Sequence, residues 1–388
     1  MWNSSHLSEL ERSGQLLFIG ITGTTLTPET ESFLREIRPG GILLFQRNIH
    51  SREQFQRLLQ QLNRIQPIPP FLAIDQEGGR VNRLRPILSD LPTNLELSEH
   101  GDRRMVERYA RCIGDCLRHL GLQINFAPVL DLSGRDSPNG VGDRSFGTDP
   151  ERAAAFGESF LLSLKRSQIL GTMKHFPGLG AAAVDSHQAL PEIRKGRKKI
   201  WEEDLYPFRH LAPIAPIAMV SHAYYPSLSG KEPIPASLSP RIIDDLLLGT
   251  LNYQGLVLTD DLEMGSIDLR EGMGKVAVRA MHAGNDMVLV CRTRRKIREA
   301  VRGLGEAMRR GSLSRDRIDR SLNKILALKR RFLRARSIDR SAQGFRRVKT
   351  EIARLRTHLQ ELREGHALKA ARFRQGASRS VSRRKISR

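Results

Sequence analysis

Eight short apolar, β-prone runs recur along the chain, each followed by a longer stretch of helical periodicity: QLLFIG (15–20), GILLF (41–45), FLAID (71–75), INFAPVLD (124–131), GTMKHF (171–176), IAMVSH (217–222), GLVLTD (255–260) and DMVLVC (286–291). Continuous apolar runs of this length are what parallel strands buried on both faces require. The segments between and after them read as helices at about 28–37, 52–64, 103–120, 151–167, 202–211, 239–250, 273–283, 295–309 and 315–333. Eight strand-then-helix units predict an α/β fold, a single (β/α)8 barrel of the TIM type. The 388 residues are enough for it, since such a barrel commonly takes about 250 and tolerates insertions.

In a barrel of this kind the active site lies at the C-terminal ends of the strands. The polar residues that finish the apolar runs are therefore the candidates: Asp75, Lys174, His175, His222 and Asp260. A charge at the end of an apolar strand is costly unless it meets water, a partner or a ligand. Asp131, which finishes the fourth run, and Asp286, at the edge of the eighth, are read as scaffold, while His222 reads equally well as a satisfied rim histidine.

Three longer segments add to this rim. DQEGGRVNRL (75–84) surrounds Gly78-Gly79 with acids and arginines, and no GK[ST] follows to support a phosphate loop. KHFPGLGAAAVDSH (174–187) sets two histidines, a lysine and an aspartate around glycine and alanine. Small residues with a few titratable ones fit a mobile catalytic loop better than a linker. LVLTDDLEMGSI (256–267) ends the seventh run in paired carboxylates.

Together these segments resemble the family 3 glycoside hydrolases, specifically their bacterial β-N-acetylglucosaminidase branch. FAPVLDL (126–132), GDRSFG (142–147), MVSHAYYP (219–226), PASLSP (235–240) and AGNDMVLV (283–290) extend the likeness from about Gln15 to Phe332. The resemblance implies that Asp260 is a nucleophile forming a covalent glycosyl-enzyme, with Asp261 the poorer candidate. It implies that His187 is the general acid/base and that Asp185 orients and polarises it. Imidazole titrates near neutrality, and a carboxylate partner stabilises its cation, so the pairing suits proton transfer. Asp75, Arg83, Arg144, Lys174 and His175 are implied to bind the sugar. Arg80 and Glu77 are expected to brace their loop by ion pairing, and Gly178, Gly180 and Ala181 to Ala183 to let the catalytic loop swing. Many members carry histidine where this chain has Leu179, so retained activity with altered loop packing or aglycone preference is expected.

The implied reaction is removal of terminal β-linked N-acetylglucosamine from 1,6-anhydro-muropeptides during cell-wall recycling. It needs neither metal nor organic cofactor, and no Cys/His spacing in the chain resembles a zinc site. A β-glucosidase or a phosphate-dependent phosphorylase on the same scaffold is the neighbouring alternative. The N-terminus lacks the pattern of a signal peptide and no apolar run reaches membrane-spanning length, so a cytoplasmic location is expected.

Net charge is +22, which raises nucleic acid or an anionic membrane as partners. Its distribution weakens that reading for the barrel, because residues 335–388 hold 16 Lys/Arg against 4 Asp/Glu. A catalytic domain over 1–334 and a basic C-terminal extension over 335–388 are therefore expected. Phe345, Val348, Ile352, Leu355, Leu359 and Leu362 form a heptad seam, which reads as a short coiled coil or a helix docked on the barrel. The composition after it reads as disordered, with an anionic partner for the tail as the secondary possibility.

Overall fold

The structure is a computed structural model that describes residues 2–186, 188–333 and 342–385; for residue 342 and residues 367–385 the description covers the backbone only. Its strands are β1 (Leu17–Gly20), β2 (Gly41–Leu44), β3 (Phe71–Ile74), β4 (Gln76–Gly78), β5 (Val81–Asn82), β6 (Ile124–Asn125), β7 (Leu170–Phe176), β8 (Ile217–Val220), β9 (Leu256–Asp261) and β10 (Met287–Val290). Eight of them close in the order β1-β2-β3-β6-β7-β8-β9-β10, with β10 returning to β1 and every neighbouring pair parallel. Each of the eight apolar runs supplies one barrel strand. The fourth is shorter than its run because Pro128 has no N–H for the ladder, and pairing resumes as a single bridge between Val129 and Lys174.

The helices between strands bury one apolar stripe against the barrel and are started by local chemistry. Thr27 and Asp149 each cap a helix whose first residue is proline, Pro28–Ile37 and Pro150–Arg166. Their side-chain oxygens accept from N–H groups of the first turn that have no helical partner, and proline there loses nothing. Asp102 caps Arg103–Leu120 by accepting from Met105 N at 2.7 Å, and Gly121 stops that helix with φ 102°. The helix expected over 202–211 starts earlier, at Arg197, and passes through a π-helical stretch at Ile200–Asp204 before Tyr206–Leu211.

Strands β4 and β5 form a small antiparallel hairpin inserted after β3. The strand-and-helix pattern did not call for it. Gly78 and Gly79 turn it with φ of 115° and 49°, and a side chain on Gly78 would meet the Tyr109 hydroxyl and the Pro92 carbonyl. This is the reason for the glycine pair, and it folds Glu77 inward, where it is 1% exposed.

The basic extension enters as one helix, Ala342–Lys385. Phe345, Val348, Ile352, Leu355 and Leu359 are buried in the same core as the barrel helices, with Leu362 packed at its edge. The heptad seam is thus spent on the barrel, chiefly on Arg103–Leu120 and Asn94–His100. Arg108–Glu351 at 2.6 Å and Arg363–Glu96 at 3.7 Å flank the seam. Its backbone stays helical to Lys385, through residues whose composition reads as disordered; Ala, Arg, Lys and Gln there are good helix formers. Among the described residues no helix is long and apolar enough to cross a membrane.

Candidate active site

Four charged side chains form an ion-paired wall at the ends of β3 and β7. Lys174 Nζ lies 2.8 Å from Asp75 Oδ1 and 2.6 Å from Glu77 Oε1. Arg144 grips Glu77 with two parallel bonds, Nε to Oε2 at 2.7 Å and Nη2 to Oε1 at 2.8 Å. Burial alone would raise the Glu77 carboxyl, but the Arg144 and Lys174 charges win and hold it well below the usual carboxylate range. Burial would likewise lower Lys174, and Asp75 and Glu77 together raise it instead. Glu77, Arg144 and Lys174 are therefore ionised, and Asp75 is held by its bond to Lys174. Glu77, read from sequence as a brace, is the hub of the wall; its two-residue spacing from Asp75 in extended chain was the available signal.

The second part of the site is built on β7 and β9. His175 Nδ1 and Asp131 Oδ2 are 2.6 Å apart, which points the other ring nitrogen, Nε2, away from Asp131. Asp131 also accepts from the backbone N–H of His175 at 3.2 Å and of Leu179 at 2.7 Å. The residue read as scaffold thus aims a candidate binding histidine and anchors the start of the following loop. Asp260 is the second-to-last residue of β9, and burial alone would raise its carboxyl. His175, the Asp261 N–H at 2.8 Å and Lys174 outweigh burial and lower it, so it is a carboxylate at neutral pH.

Asp261 is occupied elsewhere. Its Oδ1 accepts from Glu263 N at 3.1 Å and Cys291 N at 3.3 Å, and burial pushes its carboxyl up to about 7. His222 Nε2 faces the Asp261 carbonyl at 3.1 Å, so it donates there, and Nδ1 accepts from the Ser237 hydroxyl at 2.7 Å. Burial lowers the pKa of this histidine, and both its nitrogens are satisfied. Arg83 carries a buried Nε with no hydrogen-bond partner among the described residues. Such a nitrogen is a donor available to a ligand.

The loop after β7 is more tightly held than its composition implies. Gly178 O accepts from the Tyr225 hydroxyl at 2.8 Å, and Gly180 O from Asn139 Nδ2 at 2.5 Å. A side chain on Gly180 would lie 1.8 Å from Leu132 O, and one on Gly178 would strike Asp204. Leu179 and Ala182 are buried in the core. These glycines serve close packing, which corrects the expectation that they let the loop swing. Leu179 fills an apolar site where the resemblance anticipated changed packing. Asp185 follows on this loop and packs against Gly140, and the Ser186 carbonyl accepts from Ser266 N at 3.2 Å. His187 lies outside the described residues. Arg80 braces as expected, through Asp143 at 2.8 Å and the Val141 carbonyl at 3.0 Å.

A sequence profile of the Glycosyl hydrolase family 3 N terminal domain matches residues 10–328. The chain belongs to glycosyl hydrolase family 3. A β-hexosaminidase of Pseudomonas aeruginosa (strain LESB58) is 37% identical over 279 residues, 72% of this chain and 82% of the relative. One from Stenotrophomonas maltophilia (strain K279a) is 34% identical over 283 residues, 71% of this chain and 83% of its own. Among solved structures, a glycoside hydrolase family 3 β-N-acetylglucosaminidase from Paenibacillus sp. str. FPU-7 superposes with a TM-score of 0.82 at 33% identity, covering 90% of this chain and 69% of that one. A β-N-acetylhexosaminidase from Beutenbergia cavernae gives 0.77 at 27% identity, covering 84% and 99%.

Proposed function

We propose that this family 3 chain is a retaining exo-β-N-acetylglucosaminidase that cleaves terminal, non-reducing N-acetylglucosamine through a glycosyl ester on Asp260. The observation that carries this reading is the state of Asp260: a carboxylate at the end of a barrel strand, kept ionised by His175, the Asp261 N–H and Lys174 beside the paired ions of Asp75, Glu77 and Lys174. A nucleophile on a strand end is held in one place, so little freedom remains to be lost on the way to the transition state. The relatives' names support the N-acetylhexosamine as the sugar.

In this reading Asp260 attacks the anomeric carbon while His187 protonates the departing oxygen. His187 then takes a proton from water, which releases the sugar from Asp260 with retained configuration. Asp185 steadies the imidazolium. Asp75, Lys174 and His175 meet the sugar hydroxyls, Arg83 supplies the free donor, and Arg144 acts on the sugar chiefly by holding Glu77. Residues 1–334 form the catalytic unit and 335–388 its extension. The physiological substrate is a 1,6-anhydro-muropeptide, cleaved in the cytoplasm.

The test is hydrolysis of an aryl β-N-acetylglucosaminide by the full chain, with the aryl β-glucoside and added phosphate as controls. Asp260→Ala is expected to lose at least about 10³-fold in kcat. His187→Ala is expected to lose activity in proportion to the basicity of the leaving group. Preference for the glucoside, or turnover that requires phosphate, would contradict the assignment.

A further inference from the structure

The carboxylate of Asp185 rests on a glycine. A Cβ built on Gly140 would lie 2.6 Å from Asp185 Oδ2 and 2.9 Å from its Cγ, so any side chain there displaces the carboxylate. Gly140 also has φ of 72°, a conformation that favours glycine on its own account. Its carbonyl is held by two arginines, Arg80 Nη2 at 2.5 Å and Arg144 Nη1 at 3.3 Å. Arg80 ties down the next residues as well, through the Val141 carbonyl and Asp143. Asn139, one residue earlier, accepts from Val141 N at 2.9 Å and donates to the Gly180 carbonyl of the loop itself.

We propose that Gly140, clamped by Arg80 and Arg144, is the seat that fixes Asp185, and that Arg80 is a positioning residue for proton transfer. Arg80 is half exposed and, among the described residues, its side chain is bonded to the segment that bears Gly140, so its influence runs through that segment. Arg144 belongs to both systems: one edge of its guanidinium grips Glu77 in the ion-paired wall and the remaining nitrogen grips Gly140. The seat thereby registers the acid/base loop against the sugar-binding wall. A carboxylate held out of place would no longer stabilise the imidazolium, and the loss would be felt where protonation of the leaving oxygen limits the rate.

This rests on the reading of Asp185 and His187 as the proton-transfer pair, and the experiment separates the two. In the full chain, kcat/KM is measured for aryl β-N-acetylglucosaminides from dinitrophenyl to unsubstituted phenyl, for Arg80→Ala, Arg80→Lys, Gly140→Ala and Asp185→Asn. The expected result is a loss in Arg80→Ala and Gly140→Ala that is about tenfold or more greater for phenyl than for dinitrophenyl, with KM little changed and partial recovery in Arg80→Lys. A loss uniform across leaving groups, or none, in Arg80→Ala overturns the seat; Arg80, being half exposed, decides this even if Gly140→Ala fails to fold. If Asp185→Asn itself shows no leaving-group dependence, the proton-transfer reading fails first.

Discussion

The ion-paired wall and the loop that follows β7 are held by different physics. The wall is electrostatic: Asp75, Lys174, Glu77 and Arg144 are paired at 2.6–2.8 Å, with Glu77 and Lys174 almost fully buried. The loop is steric and borrowed: its glycines press on Leu132 and Asp204, and its carbonyls are bonded by Tyr225 and Asn139 from other parts of the chain. Strand-borne groups come with their geometry, whereas a loop-borne group must take it from neighbours. The chemistry follows this division, with binding and nucleophile on strands and proton transfer on the loop.

The largest effect is expected where the wall is broken at its hub. Glu77→Gln leaves Arg144 and Lys174 short of a buried counter-charge, and losing one member of such a pair costs about 3–5 kcal/mol. Urea unfolding should show a lower midpoint, and KM for the N-acetylglucosaminide should rise; an unchanged midpoint would mean that the wall is not held electrostatically.

Next is Gly180→Ala, whose Cβ would meet the Leu132 carbonyl. Overpacking of this kind costs about 1–3 kcal/mol, and here kcat should fall more than the unfolding midpoint. Full activity would restore the idea of a freely swinging loop and erase the contrast.

The smallest effect on activity belongs to Asp261→Asn. Burial raises the Asp261 carboxyl to about 7, against about 3.9 in the unfolded chain. The stability it contributes is present at low pH and is lost as pH rises through about 7. The variant, whose side-chain oxygen keeps both backbone bonds, should match the wild type only below about pH 4 and gain on it progressively in thermal melts from there to pH 8. It should also keep most of its activity, which separates it from Asp260.

Much of this was legible in sequence because strands and helices declare themselves by pattern. The helices Pro28–Ile37 and Arg103–Leu120 fall where their caps and apolar stripes put them, and the heptad seam of the extension is the face buried on the barrel. The polar residues at strand ends, Asp75, Lys174, His175 and Asp260, do gather at one rim. What pattern could not carry was partnership. Nothing local pairs Glu77 with Arg144 across 67 positions, or Asp131 with His175 across 44. Nor does a Gly/Ala-rich stretch reveal whether its small residues permit motion or close contact. That depends on Leu132 and Asp204, which only the fold brings near.

The most direct measurement is to trap the intermediate. The full chain is incubated with a 5-fluoro N-acetylglucosaminyl fluoride, and the labelled protein is digested and mapped by mass spectrometry. Asp260 as nucleophile predicts one sugar added per chain, on the peptide bearing Asp260, with no label in Asp260→Ala. A label on Asp261 or elsewhere, or turnover of the reagent with inverted configuration and no adduct, would contradict it.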